Sequence, residues 1–332
     1  MSNFLFFSTV IFFSFLLTEL IFRYSLKNNI LDSPNERSSH SVATPHGGGI
    51  AIVFCFLVAI GFSDLLPNNI VYAFMGASTL VAAIGFWDDR FEISAKWRLL
   101  SHFIAVAWVL FWLGGFPEYS FLGFTITAGW FEMVVVAFLF VWLLNLFNFM
   151  DGIDGIAASE TIFVTVAGAY ISWLNGIEYL SFISLALAAS TFGFLILNWA
   201  PAKIFMGDVG SGFLGLVLGI IVYTNILEGS SIWPWLILLA VFLVDSGVTL
   251  LIRALTGDKW YEAHCSHAYQ HAAGKWGHKK VTLSVTGINL GFLFPTALLS
   301  HYNPEQGFAL TLLTFIPLIV VALKLKAGIN DV

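Results

Sequence analysis

The chain has 332 residues, 58% of them hydrophobic and only 10% charged, with a formal net charge of −6 and a mean hydropathy of +0.87. Soluble globular domains carry about a quarter of their residues as charges, so this composition excludes an ordinary soluble protein and points to an integral membrane one. No basic run or nucleic-acid-binding motif supports a nucleic-acid partner, and with Cys55 in an apolar span and Cys265 in a polar loop no disulfide is expected.

A helix needs about 20 mostly apolar residues to cross a bilayer. Stretches of that kind cover 4–22, 47–66, 70–87, 99–116, 130–149, 156–174, 179–197, 209–227, 232–252, 281–300 and 306–323. The first lacks a basic leader and a small-residue cleavage site and is followed by Arg23 and Lys27, so it reads as a retained anchor with the N-terminus outside. Alternation then places 23–46, 88–98, 145–159, 198–212, 253–280 and the C-terminus on the cytoplasmic side. All 14 Lys and Arg lie in or beside these segments, whereas the outer connections carry Asp64, Glu118, Glu178, Glu228 and Glu305, as the positive-inside rule requires. The prediction is an all-α, polytopic helix bundle of about eleven crossings, forming one domain over 1–332 with its chemistry in the inner loops. The net negative charge thus conceals a basic inner surface suited to lipid head groups or phosphates.

The loop "DSPNERSSHSVATPHGGG" has the Pro and Gly punctuation of an irregular segment, with Arg37, His40 and His46 among small residues. Its Gly47-Gly48-Gly49 run could let backbone amides approach a phosphate, or simply turn in solvent. Asp88-Asp89 follow a span directly, with Arg90, Lys96 and Arg98 close behind. Adjacent carboxylates at a membrane border want a metal, a cation or a shared proton; a solvated helix end balanced by its own cations is the plain alternative.

In "NLFNFMDGIDGIAAS", Asn145, Asn148, Asp151 and Asp154 recur every third residue and would form a slowly drifting polar stripe on a helix. Gly152 and Gly155 are expected to break that helix and bring backbone close to a ligand. "NWAPAKIFMGDVGSG" gathers Asn198, Lys203 and Asp208, the last flanked by glycines. Such a set suits Mg²⁺ with phosphate, because Mg²⁺ often takes only one or two protein carboxylates. In "AHCSHAYQHAAGKWGHKK", His264, His267 and His271 stand at i, i+3 and i+7, on one face of a helix, ahead of His278. They would bind Zn²⁺ or grip a pyrophosphate. Within the spans, Glu19, His102 and Asp245 are costly; Asp245, two turns before Arg253, is the strongest functional candidate among them.

Taken together, "FWDDR", "NLFNFMDGIDGIA", "NWAPAKIFMGDVGS" and the histidine-rich loop resemble the polyprenyl-phosphate N-acetylhexosamine-1-phosphate transferases, a family within glycosyltransferase family 4. The spaced histidines and "GHKKVTL" look most like its O-antigen-initiating branch. The resemblance covers the topology and nearly all inner loops. It implies transfer of a sugar 1-phosphate from a UDP-N-acetylhexosamine (GlcNAc, FucNAc or QuiNAc type) to undecaprenyl phosphate with release of UMP, at the cytoplasmic face of a bacterial inner membrane. It further implies Mg²⁺, with Mn²⁺ as the alternative ion, at Asp208 with Asn148 beside it. Asp88, Asp89, Asp151 and Asp154 would be catalytic, and Lys96, Arg98, Asn145, Asn198, Lys203, His264, His267 and His271 would hold substrate. His46 departs from a common family pattern after Thr44-Pro45 and receives no role. A homodimer is left open.

Two other classes compete. A secondary transporter would place polar clusters near mid-membrane and show repeated halves. "DGIAA" at 154–158 begins like the motif of CDP-alcohol phosphatidyltransferases, but Ser159 stands where that motif has Arg, and the next Asp is Asp208.

Overall fold

In hydrocarbon every backbone N–H and C=O must be satisfied within the protein, so long apolar runs fold as helices. The computed structural model describes residues 3–33, 42–91, 93–115, 119–121, 124–126, 129–258 and 264–329; Arg37, His40 and Glu118 lie outside them. The chain runs through α1 (Asn3–Lys27), the short strands β1 (Leu31–Asp32) and β2 (Thr44–Pro45), then α2 (Gly49–Gly61), α3 (Asn68–Phe91) and α4 (Ala95–Leu113). After β3 (Tyr119–Phe121) and β4 (Phe124–Ile126) come α5 (Trp130–Met150), α6 (Ile156–Leu174), α7 (Glu178–Asn198) and α8 (Asp208–Leu227). The last part comprises α9 (Trp233–Leu238), α10 (Ala240–Thr256), α11 (Ala268–Trp276), α12 (His278–Ile288), a π-helical turn (Asn289–Leu293), α13 (Phe294–Tyr302) and α14 (Gly307–Lys324).

This is an all-α, multi-pass membrane fold. Nine helices among the described residues are long and apolar enough to cross a membrane. The other two predicted spans differ. Helix α2 has only 13 residues, and the 232–252 stretch is interrupted at Leu239, which ends α9 and begins α10. Neither Pro nor Gly marks that interruption in the sequence.

Helix α8 is the axis of the bundle: 94% of its most apolar window is buried, against 17% for α1. Its glycines permit this, because small residues let membrane helices approach closely. A Cβ on Gly215 would lie 2.7 Å from the Leu143 carbonyl oxygen, and one on Gly219 would lie 2.9 Å from the Phe140 ring, both on α5. Around this axis one apolar cluster runs from Val10 to Leu310.

The in-span ionisable groups hold structure. Glu19 pairs with Arg23 on an exposed face at 2.8 Å, a contact of little energetic weight. Asp245, the strongest functional candidate among these groups, is instead a helix cap. Its Oδ1 accepts from the Ala268 amide at 3.0 Å and its Oδ2 from the Tyr269 amide at 2.9 Å, so it caps α11 from α10. Arg253 lies 3.8 Å from Asp258. Glu160, which hydropathy alone does not single out, is buried in α6 and accepts from Asn289 Nδ2 at 2.6 Å, next to the π-helical turn.

Candidate active site

The turn after α5, the α7–α8 loop and the end of α3 meet at one end of the bundle. There they line a cavity of about 510 Å³ with Asp89, Asn148, Asp151, Asp154, Asn198 and Asp208. A void of about 50 Å³ adjoins it, sharing Asn148 and Asp208 and adding Asp88, Arg98, His102 and Asn145. Three predicted motifs, with members up to 120 residues apart in the chain, therefore converge around Asp208.

Asn145 and Asn148 occupy the last turns of α5, whose helix stops at Met150, so the polar stripe continues into a turn at Asp151. Asn148 Nδ2 donates to Asp208 Oδ1 at 2.7 Å and to Ser211 Oγ at 3.1 Å. Arg98 Nη1 lies 3.4 Å from Asp208 Oδ2 and 2.5 Å from Asp88 Oδ2. Gly155, at φ +73°, takes the left-handed conformation that the turn into α6 requires.

Asp154 and Asn198 tie loops together. Asp154 Oδ2 accepts from the Ala202 amide at 3.1 Å, its Oδ1 lies 3.2 Å from His278 Nδ1, and its carbonyl accepts from Thr282 Oγ1 at 3.0 Å. The buried Asn198 accepts from the Gly155 amide at 3.1 Å and donates to the Ile204 carbonyl at 2.9 Å. Asp151 differs, because no described residue donates a hydrogen bond to its carboxyl. Burial raises its pKa well above the ordinary carboxylate value, and the charges of Asp208, Asp89 and Asp154 push it further.

The histidines depart from the predicted helical face. Helix α11 begins at Ala268, so His264 and His267 precede it and, of the three, only His271 is helical. His267 is buried, stacks on His264 with centroids 5.0 Å apart, and lies 3.2 Å from Asp245. Burial, then the charges of His267 and Arg253, lower the His264 pKa to about 4, so it is neutral at pH 7. Among the described residues no three His, Cys, Asp or Glu side chains are arranged to hold a metal by themselves, and the Zn²⁺ reading loses its basis. Lys96 and Lys203 are exposed and line neither cavity.

Sequence reasoning named His46 and His278 without giving them a site role and missed Gln270; all three line the main cavity. His46 is brought there by a strap. Its neighbours make backbone bonds to the α7–α8 loop, from Phe205 N to Pro45 O at 2.8 Å, Gly48 N to Phe205 O at 2.9 Å and Gly49 N to Met206 O at 2.9 Å.

The cavity that holds Asp208 is lined by further oxygen-bearing side chains, Asp89, Asn148, Asp151, Asp154 and Ser211, and Mg²⁺, which takes only one or two protein carboxylates, fits such a lining. Fold and site together define an integral membrane protein with an acidic cavity of about 510 Å³ at one end of its helix bundle. The family model for glycosyl transferase family 4 matches residues 71–226. A Bacillus subtilis (strain 168) protein named as a probable undecaprenyl-phosphate N-acetylglucosaminyl 1-phosphate transferase is 27% identical over 286 residues, 84% of this chain and 79% of that protein. The phospho-N-acetylmuramoyl-pentapeptide-transferase of Borreliella afzelii (strain PKo) is 30% identical over 266 residues, 69% of this chain and 72% of that one. The enzyme of the same name from Streptococcus pneumoniae (strain Hungary19A-6) is 33% identical over 192 residues, 54% and 58% of the two chains. The chain belongs to glycosyl transferase family 4.

Proposed function

We propose that the protein transfers a sugar 1-phosphate from a UDP-N-acetylhexosamine to undecaprenyl phosphate, releasing UMP, as the first membrane step of O-antigen or another cell-surface polysaccharide. The observation that carries this reading is the convergence of Asp89, Asn148, Asp151 and Asp154 on Asp208 in one cavity at the bundle end. A cavity there lets a water-soluble nucleotide meet a membrane-bound lipid, whereas a transporter needs its site near mid-membrane. Relatives named for undecaprenyl-phosphate and muramoyl-pentapeptide phosphotransfer support the same reaction class.

In this reading an oxygen of the lipid phosphate attacks the β-phosphorus of the donor. The bond from that phosphorus to the bridging oxygen breaks, and UMP leaves with the bridging oxygen. Asp208, with Asn148 steadying it, would hold Mg²⁺, which when bound neutralises charge on the diphosphate and the departing UMP. Arg98 supplies a fixed cation beside that carboxylate. A phosphate monoester has its second pKa near 6, so at neutral pH the nucleophile is already mostly dianionic. Removing its last proton therefore accounts for only a small rate factor, and the Asp88–Asp89 pair is better employed in positioning than as a base.

The test is UMP release from membranes supplied with undecaprenyl phosphate and a panel of UDP-N-acetylhexosamines, with and without Mg²⁺. We expect Mg²⁺-dependent release with at least one sugar, and a loss on the order of 100-fold in kcat for Asp208→Asn. Absence of metal-dependent UMP release with every sugar would overturn the proposal.

A further inference from the structure

We propose that Asp88 and Asp89 are positioning residues for Asp208, one acting through the backbone of α8 and the other through Arg98. The inference rests on the reading of Asp208 as the metal-holding carboxylate.

The first turn of a helix leaves N–H groups without intrahelical partners, and an anionic group that accepts them is favoured there. Asp89, near the end of α3, does this for α8 across the bundle. Its Oδ1 accepts from the Asp208 amide at 2.8 Å and its Oδ2 from the Val209 amide at 3.3 Å. Two glycines admit the contact. Gly207 has φ +76°, and a Cβ on it would lie 2.6 Å from Asp89 Oδ2. Gly85, one helical turn before Asp89, lies against Asp208 itself, since a Cβ there would come within 2.6 Å of the Asp208 carbonyl oxygen and 2.7 Å of Val209 Cα. Helices α3 and α8 therefore meet backbone to backbone at the residue that carries the carboxylate.

Asp88 works on the other side of Asp208. Its Oδ1 accepts from the Ile93 amide at 2.6 Å, which closes the turn into α4, and its Oδ2 takes Arg98 Nη1 at 2.5 Å. That same nitrogen stands 3.4 Å from Asp208 Oδ2. All four carboxylate oxygens of the pair are thus engaged in holding the backbone or the cation around Asp208. A carboxylate whose oxygens already accept two peptide N–H groups is badly placed to take a proton from a substrate, because doing so surrenders the bonds that fix its neighbour.

The inference is tested on the full-length protein in lipid nanodiscs with two readouts, amide hydrogen exchange of 207–211 and the Mg²⁺ concentration for half-maximal UMP release. For Asp89→Asn, which keeps one acceptor, faster exchange at 207–211 and a rise of about tenfold in the Mg²⁺ requirement are expected, with less loss of kcat at saturating Mg²⁺ than Asp89→Ala shows. Gly207→Ala, which crowds the contact while leaving Asp89 intact, should raise the Mg²⁺ requirement in the same direction. A kcat for Asp89→Asn that collapses at saturating Mg²⁺, with exchange and Mg²⁺ requirement unchanged, would overturn the inference, as would a wild-type Mg²⁺ requirement in Gly207→Ala. If the wild-type protein releases no UMP at all, it is the transferase reading that fails; the exchange arm, which needs no substrate, still reports whether Asp89 holds the start of α8.

Discussion

Burying a carboxyl among three others disfavours its ionised form, and Asp151 lacks the hydrogen bonds from described residues that relieve Asp89, Asp154 and Asp208. Its folded-state pKa is raised, first by burial and then by the neighbouring carboxylates. A raised pKa contributes stability that is complete below the unfolded value, near 3.9, and is lost as pH rises through the folded value. At neutral pH the metal-free protein thus carries Asp151 at a cost. Replacing it by Asn removes that cost, so Asp151→Asn should raise the thermal midpoint at pH 7.5 in the absence of Mg²⁺ by a few degrees while lowering UMP release, and should flatten the dependence of the midpoint on pH between 4 and 8. A lower midpoint for the variant at pH 7.5 would show that the carboxylate is satisfied after all. At this scale the sequence was informative about acids and amides, because a polar side chain in a chain so apolar needs a reason to be there. It was silent on which oxygen faces which amide, and on the places of His46, Gln270 and His278, which depend on how separate loops pack. Lys96 and Lys203 carried the right charge at the right spacing, yet nothing in spacing alone shows that they point to solvent.

Hydropathy located the long helices because their length is imposed by the bilayer, which is why nine predicted spans reappear as helices of spanning length. Features set by tertiary contact were not legible. The two-residue strands β1 and β2 pair Leu31 with Pro45 and Asp32 with Thr44, a ribbon too short for any periodic pattern. The histidine face failed for a related reason: Gln270 Oε1 accepts from the His267 amide at 3.1 Å and Asp245 caps the same end, so α11 starts after His267. The glycine run at 47–49 proves to be a packing device. A Cβ on Gly49 would lie 2.4 Å from Gly210 Cα, 2.6 Å from Gly210 N and 2.9 Å from the Met206 carbonyl oxygen, all of them backbone atoms that cannot rotate away. Gly49→Ala should therefore push α2 from the start of α8 and destabilise the protein by about 1–3 kcal/mol, the usual cost of overpacking. Thermal unfolding in nanodiscs measures this, and a midpoint equal to wild type would mean that the contact is looser than the geometry describes.

For the whole molecule, the site end of the bundle is also where the cations gather. The described Lys and Arg residues, from Arg23 and Lys27 through Arg90, Arg98 and Lys203 to Lys324 and Lys326, lie at or next to the loops that build the cavity, while Asp64, Glu178, Glu228 and Glu305 lie in the connections at the other end. The positive-inside rule acts on short loops near membrane borders, and these loops are of that kind, so the cavity should open to the cytoplasm, where nucleotide sugars are available. The orientation is an expectation from sequence alone, which does not show why one helix had to be central. That follows from α8 presenting glycines to α5 and carrying Asp208 at its first turn, which places the carboxylate on the bundle axis, in reach of α3, α4 and α5 together. The orientation is testable with single cysteines in a background in which Cys55 and Cys265 are replaced by Ser. Lys203 and Asp64 are both exposed and lie at opposite ends. A membrane-impermeant maleimide should label Asp64→Cys in intact cells and label Lys203→Cys only in inverted vesicles. The reverse pattern would turn the cavity outward, away from any cytoplasmic nucleotide, and would count against the transferase reading as well as the topology.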